Sequence, residues 1–396
     1  MTQSIYLDHA AATPVRPEVL EAMLPYFTEK FGNPSAMYAA GREARIAVDD
    51  ARAQIAAILG CADSEIIFTG SGTESDNLAL FGAMRALSSL RGARKGDVAI
   101  PASQGHLIVS AIEHHAVLEP ACALEKEGFE VTYLPVDRDG FISLDELHEA
   151  LRDDTTLVSI MYANNEIGTI QDIPAIAAVL KERKQKIYFH TDACQASGYL
   201  DLDVKKLGVD LMTLNASKIY GPKGIGVLYV RRGTPLQPLI VGGGQEGGMR
   251  SGTENVPAIV GMAKALELAQ KEREQESARL TKLRDEFIEA ILKAIPGATL
   301  NGLPTKRLPN NINITIPGVE SEVLLMRLDE ADISASTGSA CAAGAIEPSH
   351  VLLALGLSKQ ETKSSVRFTL GRETMKADLS GMVETLSRIV PRFPRS

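Results

Sequence analysis

Between about residues 45 and 230, short β-branched runs alternate with amphipathic stretches, and this pattern limits the chain more than any other. The runs are 65–69, 107–110, 157–162, 186–190, 211–214 and 226–230, with helical patterns such as 77–87 and 173–184 between them. Such alternation predicts an α/β fold with a mostly parallel sheet covered on both faces. The 396 residues exceed one ordinary core, so two domains are expected. A charged, helix-favouring segment over 256–295, closed by Pro296-Gly297, suits a connector. Beyond it, 310–316, 321–328, 351–355, 366–370 and a last helix read as a smaller α/β unit.

In open sheets of this kind, ligands bind beyond the carboxyl ends of the strands. Here those ends carry the reactive side chains. After 65–69 comes Gly70-Ser71-Gly72-Thr73-Glu74-Ser75 ahead of a helix pattern, where small residues and free N–H groups can hold an anion. It lacks the Gly-Lys-Ser/Thr of a Walker loop. Later ends carry Glu113-His114-His115, Asn164-Asn165-Glu166 and Asp192-Ala193-Cys194-Gln195. A lone histidine or aspartate in such a place is ordinarily structural; four strand ends loaded together are not. The run 211–214 leads into Asn215-Ala216-Ser217-Lys218-Ile219-Tyr220-Gly221-Pro222. A lysine at a strand end can form a Schiff base with an aldehyde cofactor, and an aspartate at another end can keep a pyridine nitrogen protonated. Lys218 with Asp192 therefore suits pyridoxal 5'-phosphate.

Other classes fall away. Hydrophobic residues make up 45% and charged residues 23%, as in a globular protein. A net charge of −9 argues against direct binding to nucleic acid or anionic membranes. No apolar run approaches the ~20 residues of a membrane span, and no secretory signal opens the chain. The four cysteines are scattered, with no C-x-x-C pair, so neither a metal site nor a disulfide framework is expected and a cytoplasmic location is the simple reading. The segment Gly242–Gly247 matches G-x-G-x-x-G, yet no helix pattern follows directly, so it is not read as a dinucleotide site.

The chain resembles the NifS/IscS-type cysteine desulfurases, on the aspartate-aminotransferase-like fold type I of pyridoxal-phosphate enzymes. The resemblance rests on Tyr6–Ala11, Phe31–Ser35, Thr73–Asn77, Asn164–Gly168, Lys218–Gly224, Gly242–Glu246, Arg250–Asn255 and Gly338–Cys341. It implies a large cofactor-binding domain over 16–260 and a small domain built from 1–15 and 261–396. Lys218 resembles the Schiff-base lysine, Asp192 the partner of the pyridine nitrogen, and His114 the histidine that stacks on the ring. The resemblance puts Gln195 on the ring hydroxyl and Asn165 beside the ring. Gly72, Thr73, Asn215 and Ser217 match the phosphate cup, and Thr253 a residue that reaches the neighbouring subunit's phosphate, which implies a homodimer. Asn33 and Arg367 match groups that hold the substrate carboxylate.

Cys341 sits in the small-residue stretch Ser336–Gly344 and matches the catalytic loop whose thiolate takes sulfur from L-cysteine. The implied products are L-alanine and a persulfide for acceptor proteins such as iron–sulfur scaffolds or tRNA-thiolation relays. Selenocysteine cleavage, transamination and a non-catalytic sulfur relay are the competing readings. The chain also departs from the family: Ser217 replaces a common histidine, Asn215 a serine, Gly247 an arginine and Tyr38 a histidine. A hydroxyl and an amide both donate to phosphate, so the cup survives these changes.

Overall fold

A computed structural model describes residues 4–93, 104–338 and 348–393. In chain order its strands are β1 (Ile5–Tyr6), β2 (Ile66–Thr69), β3 (His106–Ser110), β4 (Glu130–Leu134), β5 (Thr155–Ser159) and β6 (Tyr188–Asp192). They continue as β7 (Leu211–Asn215), β8 (Gly226–Val230), β9 (Thr299–Leu300), β10 (Asn311–Thr315), β11 (Ile333–Ser334) and β12 (Ser365–Thr369).

The main sheet has seven strands in the order β2-β8-β7-β6-β5-β3-β4. From β7 to β4 neighbouring strands run parallel, and β8 is antiparallel to both β2 and β7. This is the mostly parallel α/β sheet that the alternation predicts. The inner strands β3 and β5 and the edge strand β2 are buried at every position, which requires cover on both faces. One face packs against the helix Gly72–Ala93, with Leu78, Leu80 and Met84 beside Leu107, Val109, Leu157 and Leu211. The other packs against the helix Ala39–Leu59 and the start of the helix Val256–Ala294, through Val48, Ile55, Met212, Val227 and Met262.

The helix Val256–Ala294 has 39 residues and so spans about 58 Å. Asn255 caps it, accepting from Ala258 N. Its first half, to Leu266, belongs to the large core. Its second half, from Leu280 to Ile291, belongs to a separate core with β10, β12 and the helix Lys376–Ile389. On these two cores we propose a two-domain division, with this helix as the shared element. The small sheet runs β12-β10-β9, antiparallel throughout, and β1 pairs with β11.

One segment assigned to the small unit by sequence packs elsewhere. Val351, Leu352 and Leu355, from the helix His350–Ala354, bury against Ile112, Met161 and Ile167, beside the strand-end loops of the main sheet.

Candidate active site

The ends of the parallel strands bring most of the expected residues together. Lys218 follows β7 in a single 3-10 turn, Ala216–Lys218. Its Nζ donates to the carbonyls of Ala10 at 2.9 Å and Ala11 at 2.6 Å. Gln195 Nε2 donates to the same Ala10 carbonyl at 3.0 Å, so the amine and the amide stand side by side. Asp192 closes β6, where its Oδ1 accepts from Cys194 N at 2.8 Å. His114 caps the helix His115–Lys126, its Nδ1 accepting from Ala116 N at 3.1 Å. That bond leaves Nε2 as the protonated nitrogen of the neutral ring. Burial lowers the proton affinity of His114; the Asp192 carboxylate opposes this and the Lys218 ammonium adds to it. The charges of the amine and the carboxylate thus both reach the imidazole.

A tight approach seats the anion-binding end. A Cβ on Gly72 would lie 2.9 Å from Cys194 Sγ and 3.3 Å from the Asn215 side chain, so only a glycine lets these loops close on the helix start. Ser71 Oγ accepts from Glu74 N and Ser71 O from Ser75 N. The N–H groups of Gly72 and Thr73 lead the helix and have no partner within it. Glu74 pairs with Arg250 at 2.9 Å and accepts from Gly70 N at 2.8 Å, which fixes the loop ahead of the helix. Asn215 Oδ1 accepts from Ser217 N and from Ser217 Oγ, both at 3.1 Å. The Ser217 hydroxyl, expected on the phosphate, here braces its own turn.

Arg367, on β12, is 3% exposed. Its Nη2 pairs with Asp8 Oδ1 at 2.7 Å and its Nη1 donates to Asn165 O at 3.0 Å. Among the described residues its buried Nε has no hydrogen-bond partner, and it is a donor suited to a carboxylate. Asn33 lies in an exposed turn, its Oδ1 accepting from Ser35 N at 2.9 Å. Thr253 is exposed on the loop before the long helix. Cys341 lies outside the described residues.

Several buried polar groups were given no role in the reading of the sequence. His190, two residues before Asp192 on the same face of β6, bonds to Ser159 Oγ at 2.8 Å and Thr213 Oγ1 at 3.1 Å. Asp76, from the covering helix, lies 3.6 Å from His190 Nε2. Burial and then the Asp192 charge raise the proton affinity of Asp76, while burial lowers His190 to about 3. Glu113 accepts from Ser110 Oγ at 2.5 Å and Met161 N at 2.7 Å, and burial pushes it up to about 8. The available signal was a polar residue inside an otherwise apolar strand or helix face, as at His190 and Asp76.

These residues fit pyridoxal phosphate. A primary amine and a strand-end carboxylate act on one imidazole, and a helix start that is crowded for a side chain at Gly72 is set to take the phosphate.

Known proteins resemble this chain along nearly its whole length. A family model described as aminotransferase class-V matches residues 5–382. A cysteine desulfurase IscS of Dictyoglomus turgidum is 51% identical over 99% of this chain and 96% of its own length. A solved NifS-like protein superposes with a TM-score of 0.89 at 35% identity, covering 98% of this chain and 100% of that one. A structure titled SspA in complex with cysteine gives a TM-score of 0.78 at 40% identity, over 93% and 99% of the two chains. The chain belongs to the class-V aminotransferases, within their cysteine desulfurase branch.

Proposed function

We infer that this chain is a pyridoxal-phosphate-dependent cysteine desulfurase that releases L-alanine from L-cysteine and carries the sulfur on Cys341. One observation carries the reading: Lys218 and Gln195 meet at the Ala10 carbonyl, and the charges of Lys218 and Asp192 both act on His114. The relatives add weight, being named cysteine desulfurases over the whole length.

Bound pyridoxal phosphate would supply an electron sink for charge left at the substrate α-carbon. Lys218 would hold the cofactor aldehyde and then, once freed, take the α-proton at Nζ. Asp192 would keep the pyridine nitrogen protonated. His114, held neutral by burial, would offer its Nε2 proton to the bound cofactor. The N–H groups of Gly72 and Thr73, with Asn215, would hold the phosphate. Arg367, already oriented by Asp8 and Asn165 O, would receive the substrate carboxylate through its open Nε. A Cys341 thiolate attacking the substrate sulfur forms an S–S bond as the Cβ–S bond breaks, and the departing electron pair is protonated to leave alanine.

The proposal extends to a homodimer in which Thr253 completes the partner's phosphate site. It extends also to transfer of the persulfide to an iron–sulfur scaffold or tRNA-thiolation relay in the cytoplasm. Among the described residues no helix is long and apolar enough to cross a membrane.

The test is incubation of the cofactor-loaded protein with L-cysteine and a reductant, measuring alanine and sulfide together. Equal amounts are expected. Cys341→Ser should bind cysteine yet form neither product nor persulfide. Persulfide found by mass spectrometry on Cys194 instead would move the nucleophile.

A further inference from the structure

The turn that follows Lys218 holds a residue in an unusual conformation. Ile219 N donates to Ala216 O at 3.1 Å and Gly221 N to the same carbonyl at 2.9 Å, which closes the turn in the manner of a helix C-terminus. Such a closure needs a left-handed residue just before the last donor, and glycine normally fills that place. Here it is Tyr220, at φ 61°. Glycine comes one residue later, for space: a Cβ on Gly221 would lie 2.8 Å from Ala216 Cβ and 3.0 Å from Ala265 Cβ.

A strained tyrosine persists only where its surroundings over-determine it. Tyr220 N donates to Thr13 Oγ1 at 2.7 Å, and Tyr220 O accepts from Arg16 N at 3.0 Å. A glycine would keep both bonds. The third bond needs the side chain, because the Tyr220 hydroxyl accepts from Arg372 N at 2.8 Å. Arg372 lies just beyond β12, the strand that carries Arg367. Between the two runs the N-terminal segment. Its Ala10 and Ala11 carbonyls take Lys218 Nζ, and its His9 and Ala10 N–H groups donate to Thr369 on β12.

We propose that Tyr220 is a positioning residue for Lys218: it accepts the left-handed conformation so that its hydroxyl can tie the lysine's turn to the backbone behind Arg367. The phenol then adds a direct tie between the amine's turn and the strand of the carboxylate-binding guanidinium, beside the ties that run through the N-terminal segment. The proposal rests on the reading of Lys218 as the cofactor-bearing amine.

The experiment compares wild type, Tyr220→Phe and Tyr220→Gly, each loaded with pyridoxal phosphate. Three quantities are read: the unfolding temperature without cofactor, the pH midpoint of the bound cofactor's colour change, and kcat and KM for L-cysteine. Tyr220→Phe keeps the ring and the strain and loses only the tie. It should unfold near the wild-type temperature while kcat/KM falls about three- to tenfold, the usual weight of one neutral hydrogen bond, and the colour midpoint shifts. Tyr220→Gly is free of the strain but also loses the largely buried ring, so it should unfold below Tyr220→Phe and show at least the same functional loss. If Tyr220→Phe does not fold, the colour midpoint of the folded glycine variant decides: a shift supports the proposal and a wild-type midpoint overturns it. Wild-type kcat/KM and colour midpoint in either variant would overturn it. A wild-type protein that took up no pyridoxal phosphate would overturn the assignment of Lys218 beneath it.

Discussion

Glu113 is a buried carboxyl group held at about 8 by its surroundings, against an ordinary value of 4.5. Between those two pH values the unfolded chain has released a proton that the folded chain keeps. Folding therefore loses stability as pH rises across the window, by at most about 1.4 kcal/mol per pH unit. Glu113→Gln preserves the shape without the ionisation. It should flatten the decline in denaturant midpoint of the cofactor-free protein from about pH 5 to 8; a decline identical to wild type would place the charge elsewhere. The sign is opposite for His106 and His190, which burial lowers to about 4 and about 3. Their contribution is present above 6.5 and is lost as pH falls towards those values. Lys218 makes a simpler prediction. With pyridoxal phosphate and borohydride, the wild type should gain a stable adduct mass on the Lys218 peptide. Lys218→Ala should gain none there and should lose turnover while staying folded. An adduct of equal yield on another lysine would contradict the assignment.

At the scale of elements, the start of the helix Gly72–Ala93 decides how closely three strand-end loops can meet. Gly72→Ala would drive a methyl group against Cys194 Sγ and Asn215. Overpacking of this kind typically costs about 1–3 kcal/mol, so cofactor affinity should fall about tenfold or more in a titration of the cofactor-free protein. Adding Cys194→Ala removes the closer obstacle and should recover part of the loss; no recovery would mean that the clash is relieved another way. The same scale shows where the sequence was hard to read. The edge strand β4 was missed because Glu130 and Tyr133 are exposed and only Leu134 is buried, so no apolar run marks it. The helix Ala39–Leu59 was missed because its buried face is largely alanine, at 44, 47, 51 and 56, which does not stand out as a stripe. The long helix was plain, since its charge and its closing Pro296-Gly297 are local signals.

At the scale of the molecule, the prediction concerns the dimer. Thr253 is exposed and belongs to the loop that leads into the long helix. If it completes the partner's phosphate site, a heterodimer of Thr253→Ala and Lys218→Ala chains holds one site with both lesions and one with neither. Mixing the two inactive or weakened homodimers should then restore activity towards half that of wild type. Activity no higher than the mean of the separate variants would count against a shared site.

By itself the sequence determined the order and class of the elements and the identity of the reactive ends, because both are local. β-branched runs set the strands, and Lys218, Asp192 and His114 follow them directly. It could not say that Ala10 and Ala11, some two hundred residues from Lys218, supply the carbonyls for its amine. Nor could it say that Asn33 stands in an exposed turn, or that the hydroxyl of Ser217 turns inward to Asn215. The layer of Ser159, His190 and Thr213 beneath Asp192 exists only because β5, β6 and β7 lie side by side in register. Those choices belong to the tertiary structure, since a hydrogen bond between distant segments is decided by which strands become neighbours and how closely the loops pack, and neither is written in any local run.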